Sequence, residues 1–111
     1  EGGAIYQDKW ATFVFNGFVT FTDNLCIENS GGTVYNFGGD FTCNAGSLFF
    51  DNFASSTGDG GYGGGICNED GGVVTLKGST TFRQNYALWG AGIYNKCAPS
   101  GLSRTLTTKP L

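Results

Sequence analysis

Bulky apolar residues alternate with polar or small ones in short bursts, and the bursts recur along the chain. Phe13 and Phe15, Phe41 and Cys43, and Val74 and Leu76 form pairs two residues apart, with Val14, Thr42 and Thr75 between them. A glycine follows each pair, at Gly17, Gly46 and Gly78. Eight residues after the first member of each pair stand Phe21, Phe49 and Phe82. A period of two broken by glycine predicts short strands joined at corners. No segment carries a sustained apolar stripe at helical spacing, and the nearest candidate, residues 85–89, is too short to be stable alone. No helix is predicted.

The bursts belong to a longer period. Gly2-Gly3-Ala4-Ile5-Tyr6-Gln7 recurs as Gly31-Gly32-Thr33-Val34-Tyr35-Asn36, as Gly63-Gly64-Gly65-Ile66-Cys67-Asn68, and as Gly90-Ala91-Gly92-Ile93-Tyr94-Asn95, at spacings of 29, 32 and 27 residues. A second motif is interleaved: Phe21-Thr22-Asp23-Asn24, Phe49-Phe50-Asp51-Asn52 and Phe82-Arg83-Gln84-Asn85, each Phe 18 or 19 residues after its glycine. Two motifs in constant phase define a repeat protein. Each repeat reads as about three short strands and three corners. One such turn cannot bury its inward side chains, but stacked turns can, with strands ~4.8 Å apart in parallel register.

The expected fold is all-β, a right-handed parallel β-helix of about three and a half turns, its hand given by the crossover rule. Residues 1–98 hold the repeats, as turns 1–30, 31–62 and 63–89 and a partial turn 90–98. Residues 99–111 read as a C-terminal cap or a linker, with Leu102 and Leu106 available to cover the last turn. Ile5, Val34, Ile66 and Ile93 are expected to form one inward ladder, and Phe21, Phe49 and Phe82 another. Asn24, Asn52 and Asn85 are expected to stack as an amide ladder, because each amide carries both donors and an acceptor.

The paired GGA(I/V/L) and FxxN motifs resemble the repeats of chlamydial polymorphic outer-membrane proteins and, more broadly, of pectin-lyase-like surface proteins. The resemblance covers residues 2–95; the final glycine motif has no FxxN after it. It implies an extracellular β-solenoid, often an adhesin or passenger domain. The chlamydial proteins also carry a membrane barrel, for which this segment offers no candidate. The shared motifs are structural, so they speak to fold rather than to activity.

Composition narrows the chemistry. Glycine supplies 20 of 111 residues, and ten Phe, five Tyr and two Trp can fill a core, which excludes a disordered polar tail. The glycines do not fall every third residue, so collagen is excluded. Histidine is absent, which removes His-based nucleophile systems and His-containing zinc sites. The few basic residues are spread thinly, against a nucleic-acid groove. No apolar run has the length of a membrane helix. Glu69 and Asp70, the only adjacent acids, sit on an expected turn, and paired carboxylates across a groove are not evident. The chain reads as no enzyme, with no catalytic, cofactor-binding or metal-binding residues assigned.

Four cysteines in a small Gly-rich chain lean toward an oxidising, extracellular setting. Cys43 shares a slot with Phe15 and Leu76 and reads as buried. Cys67 shares a slot with tyrosines expected to face outward, and its spacing allows a bridge to Cys97. Charge is graded: residues 1–30 sum to −3, residues 31–62 to −3, residues 63–89 to zero, and residues 90–111 to +3. An acidic, uncapped first turn and a basic last one suit head-to-tail stacking of copies, or flanking repeats of the same chain. The rival reading is a carbohydrate-binding or carbohydrate-cleaving β-helix that takes surface glycans, with Trp10 and Trp89 stacking on sugars; packing is the expected role of both.

Overall fold

The computed structural model describes residues 2–28, 30–56, 58, 60–96 and 105–109, and every regular element among them is a strand. In chain order these are β1 Ile5–Gln7, β2 Thr12–Phe15, β3 Val19–Thr22, β4 Leu25–Ile27, β5 Val34–Phe37, β6 Asp40–Cys43, β7 Ser47–Phe50, β8 Phe53–Ser55, β9 Ile66–Glu69, β10 Val73–Lys77, β11 Thr80–Arg83, β12 Tyr86–Ala87, β13 Ile93–Asn95 and β14 Thr105–Lys109. They assemble into four parallel sheets: β1-β5-β9-β13, β2-β6-β10-β14, β3-β7-β11 and β4-β8-β12. Each coil visits the four sheets in order and then begins again one strand higher. The fold is a parallel β-solenoid of about three turns.

Four strands per coil replace the three read from the sequence. The extra strand follows the FxxN motif at once, as β4, β8 and β12. The tail segment Thr105–Lys109 runs parallel to β10 as the fourth strand of the second sheet, setting Leu106 over Val74 and half-buried against the core. Leu102 lies outside the described residues.

Register explains both motifs. Ile5 pairs with Val34, Val34 with Ile66 and Ile66 with Ile93 on the first sheet. Phe21 pairs with Phe49 and Phe49 with Phe82 on the third. These rings stack at 4.9 and 4.7 Å between centroids. With Phe41, Cys43, Val74 and Leu76 from the second sheet they fill one continuous core. In FxxN the Phe points inward, and the residue before Asn bends the chain with a left-handed backbone: Asp23 and Asp51 at φ 58°, Gln84 at 55°. The short polar side chains of Asp and Asn tolerate that conformation better than most, which accounts for the two aspartates.

The glycine pair does two different jobs at the corner between the fourth and first sheets. The first glycine turns left-handed, as at Gly63 (φ 65°). The second lacks room for a side chain: a Cβ on Gly64 would meet the carbonyl of Ala91 in the coil above and lie 2.7 Å from that of Tyr86. Coils can therefore approach to hydrogen-bonding distance there, as in Gly64 N to Gly90 O at 3.2 Å.

Candidate functional site: the open coil edge

The first coil is a solenoid edge with its core slots on view. Phe13 is 39% exposed, whereas Phe41, its partner one coil up, is fully buried. Ile5, Phe15 and Val19 are likewise only partly covered, while Val34 and Cys43, the partners of Ile5 and Phe15, are fully buried. At the opposite edge the first two sheets gain a fourth strand, and the other two stop at three, so that edge is stepped.

The amide ladder gives the edges a polarity. Asn24 donates from both its backbone N–H (3.1 Å) and Nδ2 (2.9 Å) to Oδ1 of Asn52. Asn52 does the same to Oδ1 of Asn85, at 3.0 and 2.9 Å. A backbone N–H can meet only oxygen, so the amide orientation is fixed. Asn85 Nδ2 turns back to Phe49 O at 2.8 Å. Donors thus point toward the last coil and acceptors toward the first, where the Asn24 oxygen meets no donor among the described residues.

A second amide ladder, not read from the sequence, runs inside the corner between the first and second sheets. Asn36 Nδ2 donates to Asn68 Oδ1 at 2.8 Å, and Asn68 Nδ2 to Asn95 Oδ1 at 2.9 Å. Gln7 occupies the first-coil position. Its signal was present: a glutamine or asparagine ends all four glycine motifs, two residues after the inward Ile or Val. Alternation alone makes that position inward too.

Outside the fourth sheet lies another feature that the sequence reading missed. Leu25, Phe53 and Tyr86 form an exposed column in register, with Phe53 and Tyr86 stacked at 4.6 Å. Ile27, Leu88 and Trp89 extend the exposed apolar surface. The apolar residue directly after each FxxN asparagine was the available clue. Exposed apolar side chains grouped in this way make the face a candidate contact surface.

Two expectations are corrected. Cys67 is a buried free thiol, not an outward residue, because its column places this small side chain between Tyr35 and Tyr94. Cys97, its suggested partner, lies outside the described residues. Cys26 is also buried, and Cys43 is a buried free thiol. Nor do the tryptophans pack into the fold: Trp10 is 93% and Trp89 60% exposed.

The ionisable groups of the coil flank are arranged for cohesion. Burial pushes the Cys43 thiol up to about 11, opposed in part by a hydrogen bond with Ser47. Burial raises Cys67 further, reinforced by the Glu69 charge. Tyr35 donates its phenol to Glu69, and burial followed by that bond holds it well above the usual phenol range. Lys9 reaches over Gly38 to Asp70 at 2.7 Å, clamping the first coil to the third, and the hydrogen bond to Asp70 raises the ammonium above its ordinary value. Such thiols and pairs are structural rather than reactive. Among the described residues, no three Cys, Asp or Glu side chains gather as a metal site would require. No protein-family model, curated protein or solved structure matches this chain.

Proposed function

We propose that the chain is a structural and adhesive β-solenoid of the cell exterior whose coils continue end to end. The continuing coils are copies of itself in a head-to-tail fibre, or flanking repeats of one longer surface polypeptide. The contrast between Phe13 and Phe41 carries this reading. The two occupy one slot of one sheet, and what differs is a coil beneath. Unpaired strand edges with uncovered core slots are what another coil covers.

Direction comes from polarity and charge. Stacking last coil onto first sets amide donors against the Asn24 acceptor; two first coils face to face would oppose oxygen with oxygen. Asp8 and Asp23 are exposed on the first coil and Lys96 on the last, so the head-to-tail arrangement also pairs opposite charges. The adhesive role and the extracellular setting draw on the motif resemblance, and the exposed column of Leu25, Phe53 and Tyr86 supports the former. The stepped edge separates the two forms. Flanking coils fill the step with their own third- and fourth-sheet strands, while a fibre of copies spans one strand height, ~4.8 Å.

Sedimentation velocity and negative-stain microscopy test this reading. The expected result is concentration-dependent assembly at low salt, weakened at about 1 M salt where the Debye length is ~3 Å. Phe13→Glu should abolish assembly while leaving the far-UV spectrum unchanged. A chain that stays monomeric at high concentration and low salt, and whose first coil binds no apolar dye, contradicts the proposal.

A further inference from the structure

The corner joining the first two sheets carries a residue out of place. In the second and third coils this corner turns at Gly38 (φ 82°) and Gly71 (φ 80°). The register puts Trp10 at the equivalent point of the first coil, and it too is left-handed, at φ 68°. Glycine adopts that conformation freely, but a bulky side chain is strained there. Strain of this kind persists only where surroundings enforce it, and it gathers at ligand clamps.

The enforcement is visible. Gln7, almost fully buried, donates its side-chain amide to Ala11 O at 2.8 Å and to Asp40 O at 2.7 Å. Asp40 N donates to Ala11 O at 2.9 Å. The residue after Trp10 is therefore fastened to the next coil, and the corner cannot relax. The fold gains little in return, because the indole is 93% exposed. Among the described residues no ring or cation lies against it.

Beside the indole is a cleft of about 330 Å³ lined by Trp10, Ala11, Gly38, Gly39, Asp40 and Gly71. Three of the six are glycines, so a ligand can approach bare backbone. Asp40 is exposed at its margin. Lys9, the cation of this corner, is engaged by Asp70 at 2.7 Å. Asp8 and Asp40 leave the corner acidic.

We infer that this cleft is a glycan-binding subsite. The indole of Trp10 stacks on the apolar face of a neutral hexopyranose, and the Asp40 carboxylate accepts hydrogen bonds from its hydroxyls. The volume is at the small end for ligand sites and suits a short saccharide. A purely apolar ligand would want enclosure, and a quaternary ammonium would want several rings around it rather than one. An acidic sugar would be repelled by the two aspartates. This inference is independent of coil stacking, since it concerns the flank of the corner.

The test is calorimetric titration of the purified chain with cellohexaose, chitohexaose, mannohexaose and polygalacturonate, alongside thermal melts. At least one neutral hexasaccharide should bind, and polygalacturonate should not. Trp10→Gly should weaken that binding at least tenfold while raising Tm or leaving it unchanged, because it removes strain. Trp89→Phe should bind as the parent does, and Asp40→Asn should bind more weakly. The inference is overturned if none of the three neutral hexasaccharides binds, if polygalacturonate binds equally well, or if Trp10→Gly retains affinity. A fall in Tm for Trp10→Gly would also overturn it, by showing that the indole serves the fold.

Discussion

Phe49→Ala should cost about 4–5 kcal/mol in urea denaturation, with the slope of the transition unchanged. Phe49 is fully buried at the middle of a three-ring stack, at 4.9 Å from Phe21 and 4.7 Å from Phe82. Truncation removes its transfer free energy, leaves a cavity that parallel coils pinned by backbone ladders cannot collapse into, and severs two stacking contacts worth ~0.5–1.5 kcal/mol each. Against a total stability of about 5–15 kcal/mol, one such change can unfold the chain. Phe82→Ala should cost clearly less, because Phe82 has a ring on one side only and is only half-buried.

Asn52→Leu should be nearly as damaging, at about 3–5 kcal/mol, although leucine is similar in size and more apolar. The Asn52 side chain accepts two hydrogen bonds from Asn24 and donates to Phe21 O at 3.1 Å and Asn85 Oδ1 at 2.9 Å. Leucine can make none of these, and each group left buried without a partner costs ~1–3 kcal/mol. Water can reach Asn24 from the open edge, which limits the loss. Asn44→Leu is the matched control: Asn44 Nδ2 donates to Asn16 Oδ1 at 2.9 Å in an exposed pair, so its loss should cost about 1 kcal/mol or less. Chemical denaturation of the two variants, side by side, checks the difference.

Much of the architecture could be read from the sequence, because inward positions repeat in both size and phase. The ladders from Ile5 and from Phe21 follow from that phase alone. The fourth sheet was not legible, for two physical reasons. Its strands are two or three residues long, too short to display alternation. Its polarity is also inverted, with small Cys26, Ala54 and Ala87 inside and Leu25, Phe53 and Tyr86 outside, so an apolar-inside rule reads it backwards. The second amide ladder was hidden by the same rule, since Asn36 and Asn68 are polar yet fully buried. Trp10 could be named from the sequence as an aromatic able to stack on sugars, but the strain at its corner could not. That strain exists only relative to Gly38 and Gly71, and that comparison requires the corners to be aligned in space.

Everything rests on equivalent side chains lying directly over one another, coil upon coil. Methyl-to-methyl Overhauser contacts in the isotopically labelled chain, kept monomeric by Phe13→Glu, measure this most directly. Contacts are expected between Ile5 and Val34, Val34 and Ile66, and Ile66 and Ile93, with none joining Ile5 to Ile66 or Ile93. A contact map that skips a coil, or that pairs these segments in opposite directions, contradicts this stacking.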